Sequence, residues 1–143
     1  MVDRQTAQQI NSGSIHILRS LRRVDRQAGL TAARLSALSV LVFGGPHSLG
    51  SLAVAEDVTS PTMTRIVDGL ERDGLARRRV LTGPGRPVEV SATARGRRLM
   101  ERAAGRRLDA LETAIGRLPP ADQRRLRAAA PILQQLADLL RSD

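Results

Sequence analysis

Apolar residues recur along most of the chain at intervals of three, four and seven, the period of an amphipathic helix, and the breaks in that period mark the joints. From about Asp3 to Ala28, the residues Ile10, Ile17, Leu21, Val24 and Ala28 fall on one stripe, widened by Ile15 and Leu18. Gly29 stops this helix, and Thr31 is placed to cap a second over about Ala32 to Val42, which buries Leu35, Leu38 and Val42 and ends at Gly44, Gly45 and Pro46. A short helix capped by Ser48 and built on Leu49, Leu52 and Ala53 follows. After a turn through Asp57 and Val58, residues Thr59 to Asp73 read as a helix with a strong start. Thr59 or Ser60 can cap it, and Pro61 sits in the first turn, where a missing N–H is tolerated. Its apolar face is Met63, Ile66, Val67 and Leu70; Ser60, Pro61, Thr64, Arg65, Asp68 and Arg72 lie opposite or beside it, with Thr62 at the boundary. Gly74 is predicted to end it as a left-handed cap.

The period then changes. Leu75 to Leu81 and Val88 to Ser91 read as two strands joined by a tight turn, Thr82 to Pro87, whose two prolines and two glycines make a rigid protruding tip carrying Arg86. From about Thr93 the helical period resumes through Leu99, Met100, Ala103, Leu108, Leu111 and Ile115, until Leu118, Pro119 and Pro120 break it. A last helix begins near Ala121 with Leu126, Leu133, Leu136 and Leu140; Pro131 inside it is predicted to kink or divide it.

Composition narrows what these elements can do. A chain of 143 residues, 41% hydrophobic, is one domain with room for a core. Phe43 is its only aromatic residue, so the core is aliphatic, which favours helices over a sheet-rich fold. With no cysteine, disulfides, zinc fingers, iron–sulfur clusters and thiol switches are excluded. Two histidines, His16 and His47, leave little for a metal site or a hydrolase triad, and no paired acids, activated nucleophile or phosphate loop is recognisable, so neither an enzyme nor a cofactor is expected. No apolar run approaches a membrane span and the start is polar, which makes a cytoplasmic protein with no membrane partner the default expectation.

The charge is unevenly placed. All 23 basic side chains are arginine against 14 acids, for a net +9. Residues 59 to 107 hold twelve arginines and five acids, whereas residues 108 to 143 hold five of each. Arginine binds phosphate and guanine edges bidentately, so the central third calls for a polyanion while the termini are left for self-association. A solvated helix face is the plainer account of such a run.

Two short helices joined by a tight turn, the second capped by small polar residues and followed at once by a basic β-hairpin, make a winged helix-turn-helix. A helix entering the major groove needs hydroxyls and an arginine near its N-terminus, where base edges and phosphates lie, and a rigid basic hairpin can reach the adjacent minor groove. The fold class expected is therefore mainly α, a winged helix-turn-helix over about 31–93, with dimerisation helices over about 1–30 and 94–143. A helix as long as the first cannot bury its stripe on its own small domain; an intramolecular bundle is the alternative.

Three segments, LGSLAVAEDV at 49–58, SPTMTRIVDGLERDGLARR at 60–78 and RPVEVSATARG at 86–96, resemble the MarR family of bacterial regulators, and the likeness runs nearly the whole chain. The resemblance implies a triangular homodimer whose two winged domains read successive major grooves of a pseudo-palindromic operator in double-stranded DNA, typically a repressor released by a small-molecule effector. By position it places Ser60, Pro61, Thr62, Thr64 and Arg65 on the recognition helix, Arg86 at the wing tip, and Arg78 as the basic residue that follows the recognition helix. The family's wing aspartate is replaced here by Pro84, so the tip draws its rigidity from proline and glycine instead.

Several of these residues have a structural reading beside the functional one. Arg65 can pair with Asp68 or Glu71 on neighbouring turns. Arg77 to Arg79 alternate across a strand, so one or two face phosphate and the rest hold local carboxylates. His47, with Phe43 a turn earlier, reads as a packing or capping residue near where the resemblance puts effector pockets, and no effector residue is assigned. The rival functions are a basic RNA-binding protein, which the missing stacking aromatics disfavour, and a sequence-tolerant architectural DNA binder.

Overall fold

The computed structural model describes residues 3–85 and 87–142. Six helices and three short strands follow one another: α1 (Arg4–Asp25), a 3-10 turn (Arg26–Ala28), α2 (Ala32–Gly44), β1 (His47–Ser48), α3 (Leu49–Ala55), α4 (Ser60–Arg72), β2 (Ala76–Val80), β3 (Val88–Ala92), α5 (Ala94–Gly116) and α6 (Pro120–Ser142). The chain separates into two compact units, the first running through Arg107 and the second from Leu108 onward, so the residues of α5 are shared between them. No single described helix is long and apolar enough to cross a membrane.

In the first unit the hydrophobic face of each short helix meets the others in one core. Leu35, Leu38 and Leu41 of α2, Leu52 of α3, Met63, Val67 and Leu70 of α4, Leu75, Val90 of β3 and Met100 of α5 are all buried there. Each helix starts where the sequence supplies a cap: Asp3, Thr31, Ser48 and Thr59 each accept a backbone N–H from the first turn of α1, α2, α3 and α4. Thr59, not Ser60, is thus the cap of α4, and Ser60 is its first helical residue. Gly29, at φ 76°, allows the 86° turn between α1 and α2 that lets α2 enter the core.

The sheet is antiparallel with strand order β1-β3-β2, pairing Ala76 with Ala92, Arg78 with Val90 and Val80 with Val88. The sequence pattern shows two of these strands and misses β1, whose His47 and Ser48 pair with Val90 and Glu89. Beyond β2 and β3 the hairpin is closed by the Leu81 N–H donating to the Pro87 carbonyl at 3.1 Å, and Gly83 and Gly85 both take positive φ in the tip that Pro84 occupies.

Strands and α5 are locked together at one residue. The Thr93 N–H donates to the Leu75 carbonyl at 3.0 Å, its hydroxyl donates to the Gly74 carbonyl at 2.7 Å, and the same oxygen accepts the Gly96 N–H at 3.1 Å. Gly96 is buried against this joint: a Cβ there would stand 2.1 Å from the Leu75 carbonyl oxygen.

In the second unit, α6 is a single helix from Pro120 to Ser142 with Pro131 inside it, so of the two expectations for Pro131, a kink or a division, the division does not occur. A proline removes one backbone hydrogen bond, and Pro131 is exposed, so no buried donor or acceptor is left stranded by the loss. Gln123 fastens the turn between the helices by donating to the Leu118 carbonyl at 2.9 Å. No residue of α6 is fully buried, and Ile132, Leu133, Leu139 and Leu140 are exposed.

Candidate nucleic-acid interface

The face of α4 opposite its buried Met63, Val67 and Leu70 is polar and open. Ser60, Pro61, Thr62, Thr64 and Arg65 are all exposed on its first two turns. The hydroxyls are partly committed: Thr59 donates to the Thr62 hydroxyl at 2.9 Å, and Thr64 donates to the Ser60 carbonyl at 3.0 Å. Their oxygens keep lone pairs facing outward, so this end of the helix presents acceptors beside the positive pole of its dipole. Arg65 makes no ion pair among the described residues, so its fork is free at the surface.

The carboxylates that the local helix spacing offers to Arg65 are taken by another residue. Arg78, on β2, reaches back to α4: one guanidinium nitrogen donates to Asp68 at 2.6 Å, another donates to Glu71, and its own backbone N–H donates to Glu71 at 2.8 Å. Burial acts to lower the pKa of this guanidinium, but its hydrogen bond to Asp68 and the charges of Glu71 and Asp68 outweigh it and set the group above its ordinary value. Arg78 is therefore a clamp between α4 and the hairpin in this structure. Its side chain is 24% exposed, against 70% for Arg79 next to it.

Alternation along β2 sends Arg77 and Arg79 to the side away from Arg78. Arg79 pairs with Glu89 across the hairpin at 3.4 Å, while Arg77 touches only the Ser91 hydroxyl and keeps its charge uncompensated among the described residues. Arg86, the expected wing-tip arginine, lies outside the described residues. A basic, exposed strand and an open polar helix end thus belong to one compact unit, joined by a three-residue charge network.

Two neighbouring hollows lie away from this surface. One of about 540 Å³ is walled by Arg22, Asp25, Arg26, Leu30, Thr31 and Leu35. The other, about 280 Å³, adds Leu18, Ser36, Ser39, Met100 and Arg107. Between them Asp25 and Arg107 approach to 2.9 Å without aligning as a hydrogen bond, so the buried Nε of Arg107 has no acceptor. His47 and Phe43 line neither hollow. His47 shares a hydrogen bond of 2.7 Å with the Gly45 carbonyl and covers Gly44, a packing role, and Phe43 is exposed.

Sequence reading missed Asp68 and Glu71 as the anchors of Arg78, and Arg34, which lies across Gly69 and pairs with Asp73 at 3.4 Å to tie α2 to the end of α4. The signal for the first was present: two acids three residues apart on an exposed helix face, followed by an alternating arginine strand.

A model of the MarR family matches residues 30–86, the span from the α1–α2 joint to the wing. An HTH-type transcriptional regulator of Mycobacterium leprae is 30% identical over 136 residues, 95% of both chains. Among solved structures, a transcriptional regulator of Thermotoga maritima superposes with a TM-score of 0.81 at 23% identity, over 99% of both chains. A mutant of Staphylococcus aureus MepR, solved bound to an oligodeoxyribonucleotide, gives 0.71 at 19% identity over 94% of this chain and 97% of its own. The open polar end of α4, the basic hairpin clamped to it and this likeness along the whole chain have one explanation: the chain belongs to the MarR family of winged helix-turn-helix, DNA-binding transcriptional regulators.

Proposed function

We propose that the protein is a homodimeric repressor that binds a pseudo-palindromic operator and releases it when a small molecule occupies the hollows beside Arg22 and Arg107. The observation that carries the reading is the unencumbered first face of α4, where Arg65 stands free because Arg78 holds the neighbouring acids. In this reading Ser60, Pro61, Thr62, Thr64 and Arg65 enter the major groove, and Arg86 reaches the minor groove. Arg78 acts through its clamp as a positioning residue, while Arg77 supplies a phosphate contact. Bound at a promoter, such a dimer covers the duplex and excludes transcription from it.

Self-association is supported by apolar side chains left in water on the terminal helices: Ile17 is 51% exposed and Leu140 73%. Such surface on a small protein marks an interface. About 1–30 and 94–143 then form the dimer part and about 31–93 the reading head, in a protein that works in the cytoplasm. The effector reading rests on two adjoining hollows, one mainly apolar and one with mixed walls that include the ion pair of Arg107 with Asp25.

Selection of bound duplexes from a random pool tests the function. The expected product is a two-fold motif whose half-sites lie about 10 base pairs apart, centre to centre. Arg65→Ala is expected to cost ~1 to 3 kcal/mol and relax preference at one position of each half-site. A pool that returns no motif would make the protein a sequence-tolerant binder instead.

A further inference from the structure

At the far end of α4 from its polar tip is a cavity of about 450 Å³ with no part in the reading above. Its walls come from the α1–α2 joint at Leu30, the end of α4 at Arg72 and Asp73, and the start of α5 at Arg95 and Leu99, with buried Leu75 beneath. Arg72 of α4 and Arg95 of α5 both line it, and neither has a hydrogen bond or ion pair among the described residues. Arg95 is brought there by the glycine turn, its guanidinium lying 3.8 Å from where a Cβ on Gly74 would stand.

The groups that normally repel an anion at a helix C-terminus are already engaged. The Gly69, Leu70 and Glu71 carbonyls accept from the Asp73, Leu75 and Gly74 N–H groups, and the Asp73 carboxylate is paired with Arg34. The cavity is lined by two arginines without ion pairs among the described residues and by the Asp73 carboxylate, whose charge Arg34 offsets. Arg98 and Arg102 of α5 also lack ion pairs among the described residues, but neither lines this cavity.

We propose that this cavity is a second ligand site, for a compact dianion bridging Arg72 and Arg95. Phosphate monoesters and dicarboxylates share the required chemistry, which is two sets of acceptor oxygens a few ångströms apart, each able to take a guanidinium bidentately. Because Arg72 is the last residue of the recognition helix and Arg95 stands at the head of α5, a bound dianion ties the two together. By linkage, it then alters operator affinity as much as the operator alters its own.

Isothermal titration of the full chain with inorganic phosphate and, separately, succinate, at constant ionic strength, tests the site. Saturable binding in the range of about 1 mM or tighter is expected for at least one probe, weakened ~10-fold or more by Arg72→Gln and by Arg95→Gln and unchanged by Arg102→Gln or Arg98→Gln. The tighter probe identifies which source of the dianion the site prefers. All four side chains are exposed, so circular dichroism is expected to show every variant folded. Absence of saturation to about 10 mM with both probes, or equal weakening by all four variants, overturns the proposal in favour of a diffuse cationic surface. So does a result in which Arg72→Gln and Arg95→Gln lower duplex affinity while phosphate binding is untouched, since the pair then serves DNA. The titration needs no operator, so it stands or falls independently of the proposed repressor function.

Discussion

Replacing Gly96 by alanine is the most direct test of how the reading head is joined to α5. The added Cβ would stand 2.1 Å from the Leu75 carbonyl oxygen and 3.0 Å from its carbon, with a Leu38 methyl at 3.2 Å. Carbon and oxygen in relaxed contact need about 3.3 Å, so α5 must retreat by roughly 1 Å. The obstacle is backbone, held in place by the Thr93 N–H and by the Thr93 hydroxyl on Gly74, so no rotamer change relieves it. Overpacking of this kind costs ~1 to 3 kcal/mol, and rigidity puts the site toward the upper end. Alanine returns ~1 kcal/mol through its better helix propensity. The net expectation is a loss of about 1 to 2 kcal/mol, a fall in Tm of about 3 to 8 °C. Urea and thermal unfolding followed by circular dichroism at one protomer concentration measure it. Gly105→Ala, in the same helix with nothing within 4 Å of the new Cβ, is the control and is expected to stabilise by up to ~1 kcal/mol. If Gly96→Ala matches or exceeds wild-type stability, the tight α5–Leu75 contact is wrong.

Four further outcomes follow from the interface and from α6. Arg78→Met strands Asp68 and Glu71, whose side chains are 48% and 32% exposed; after discounting for solvent the expected loss is about 1 kcal/mol, partly recovered on adding Glu71→Gln in a double-mutant cycle. Since a raised arginine pKa keeps its stabilisation at every pH below the unfolded value and loses it only above that range, the Arg78→Met loss measured at pH 6 and at pH 9 is expected to carry no contribution from Arg78 titration. Arg77→Gln is expected to lower the slope of log affinity against log salt by ~0.9 for each phosphate that Arg77 neutralises, leaving the selected DNA motif unchanged; an altered motif would make Arg77 a base reader. Leu140→Glu places a charge on the exposed stripe of α6 and is expected to yield monomers by analytical ultracentrifugation, with operator affinity down by at least ~100-fold; a stable dimer would place the interface elsewhere.

The helices were legible because each carries an apolar stripe at 3.6-residue spacing, buried in α2, α3, α4 and the start of α5 and left largely exposed on α1 and α6. The same logic explains what was missed. β1 is two residues long, too short for any period, and its existence depends on Val90 arriving beside His47 from 43 positions later. The Arg78 clamp joins residues seven and ten positions apart across a helix end and a glycine turn, where helix spacing rules no longer apply. Local spacing offered Asp68 or Glu71 to Arg65 as the alternative to a DNA contact; the fold gives both to the strand. Of the candidate DNA-contacting residues, those on α4 were readable from its capping and amphipathicity, whereas the clamping role of Arg78 required the three-dimensional path. The division after Arg107 left no mark, because the helical period runs through it unchanged.

Thr93 has a consequence for how such a protein can change over time. By bonding Gly74, Leu75 and Gly96 it pins both roots of the hairpin to the body, and the Arg78 clamp pins one strand again along its length. The tip beyond Leu81 and Pro87 is closed by its own bond, and its described residues, 82–85, carry no share of the core. Substitutions at 82–85 are therefore expected to leave folding nearly untouched. Mutational drift can reshape the tip without cost to the fold, provided that the single hydroxyl at its base is kept.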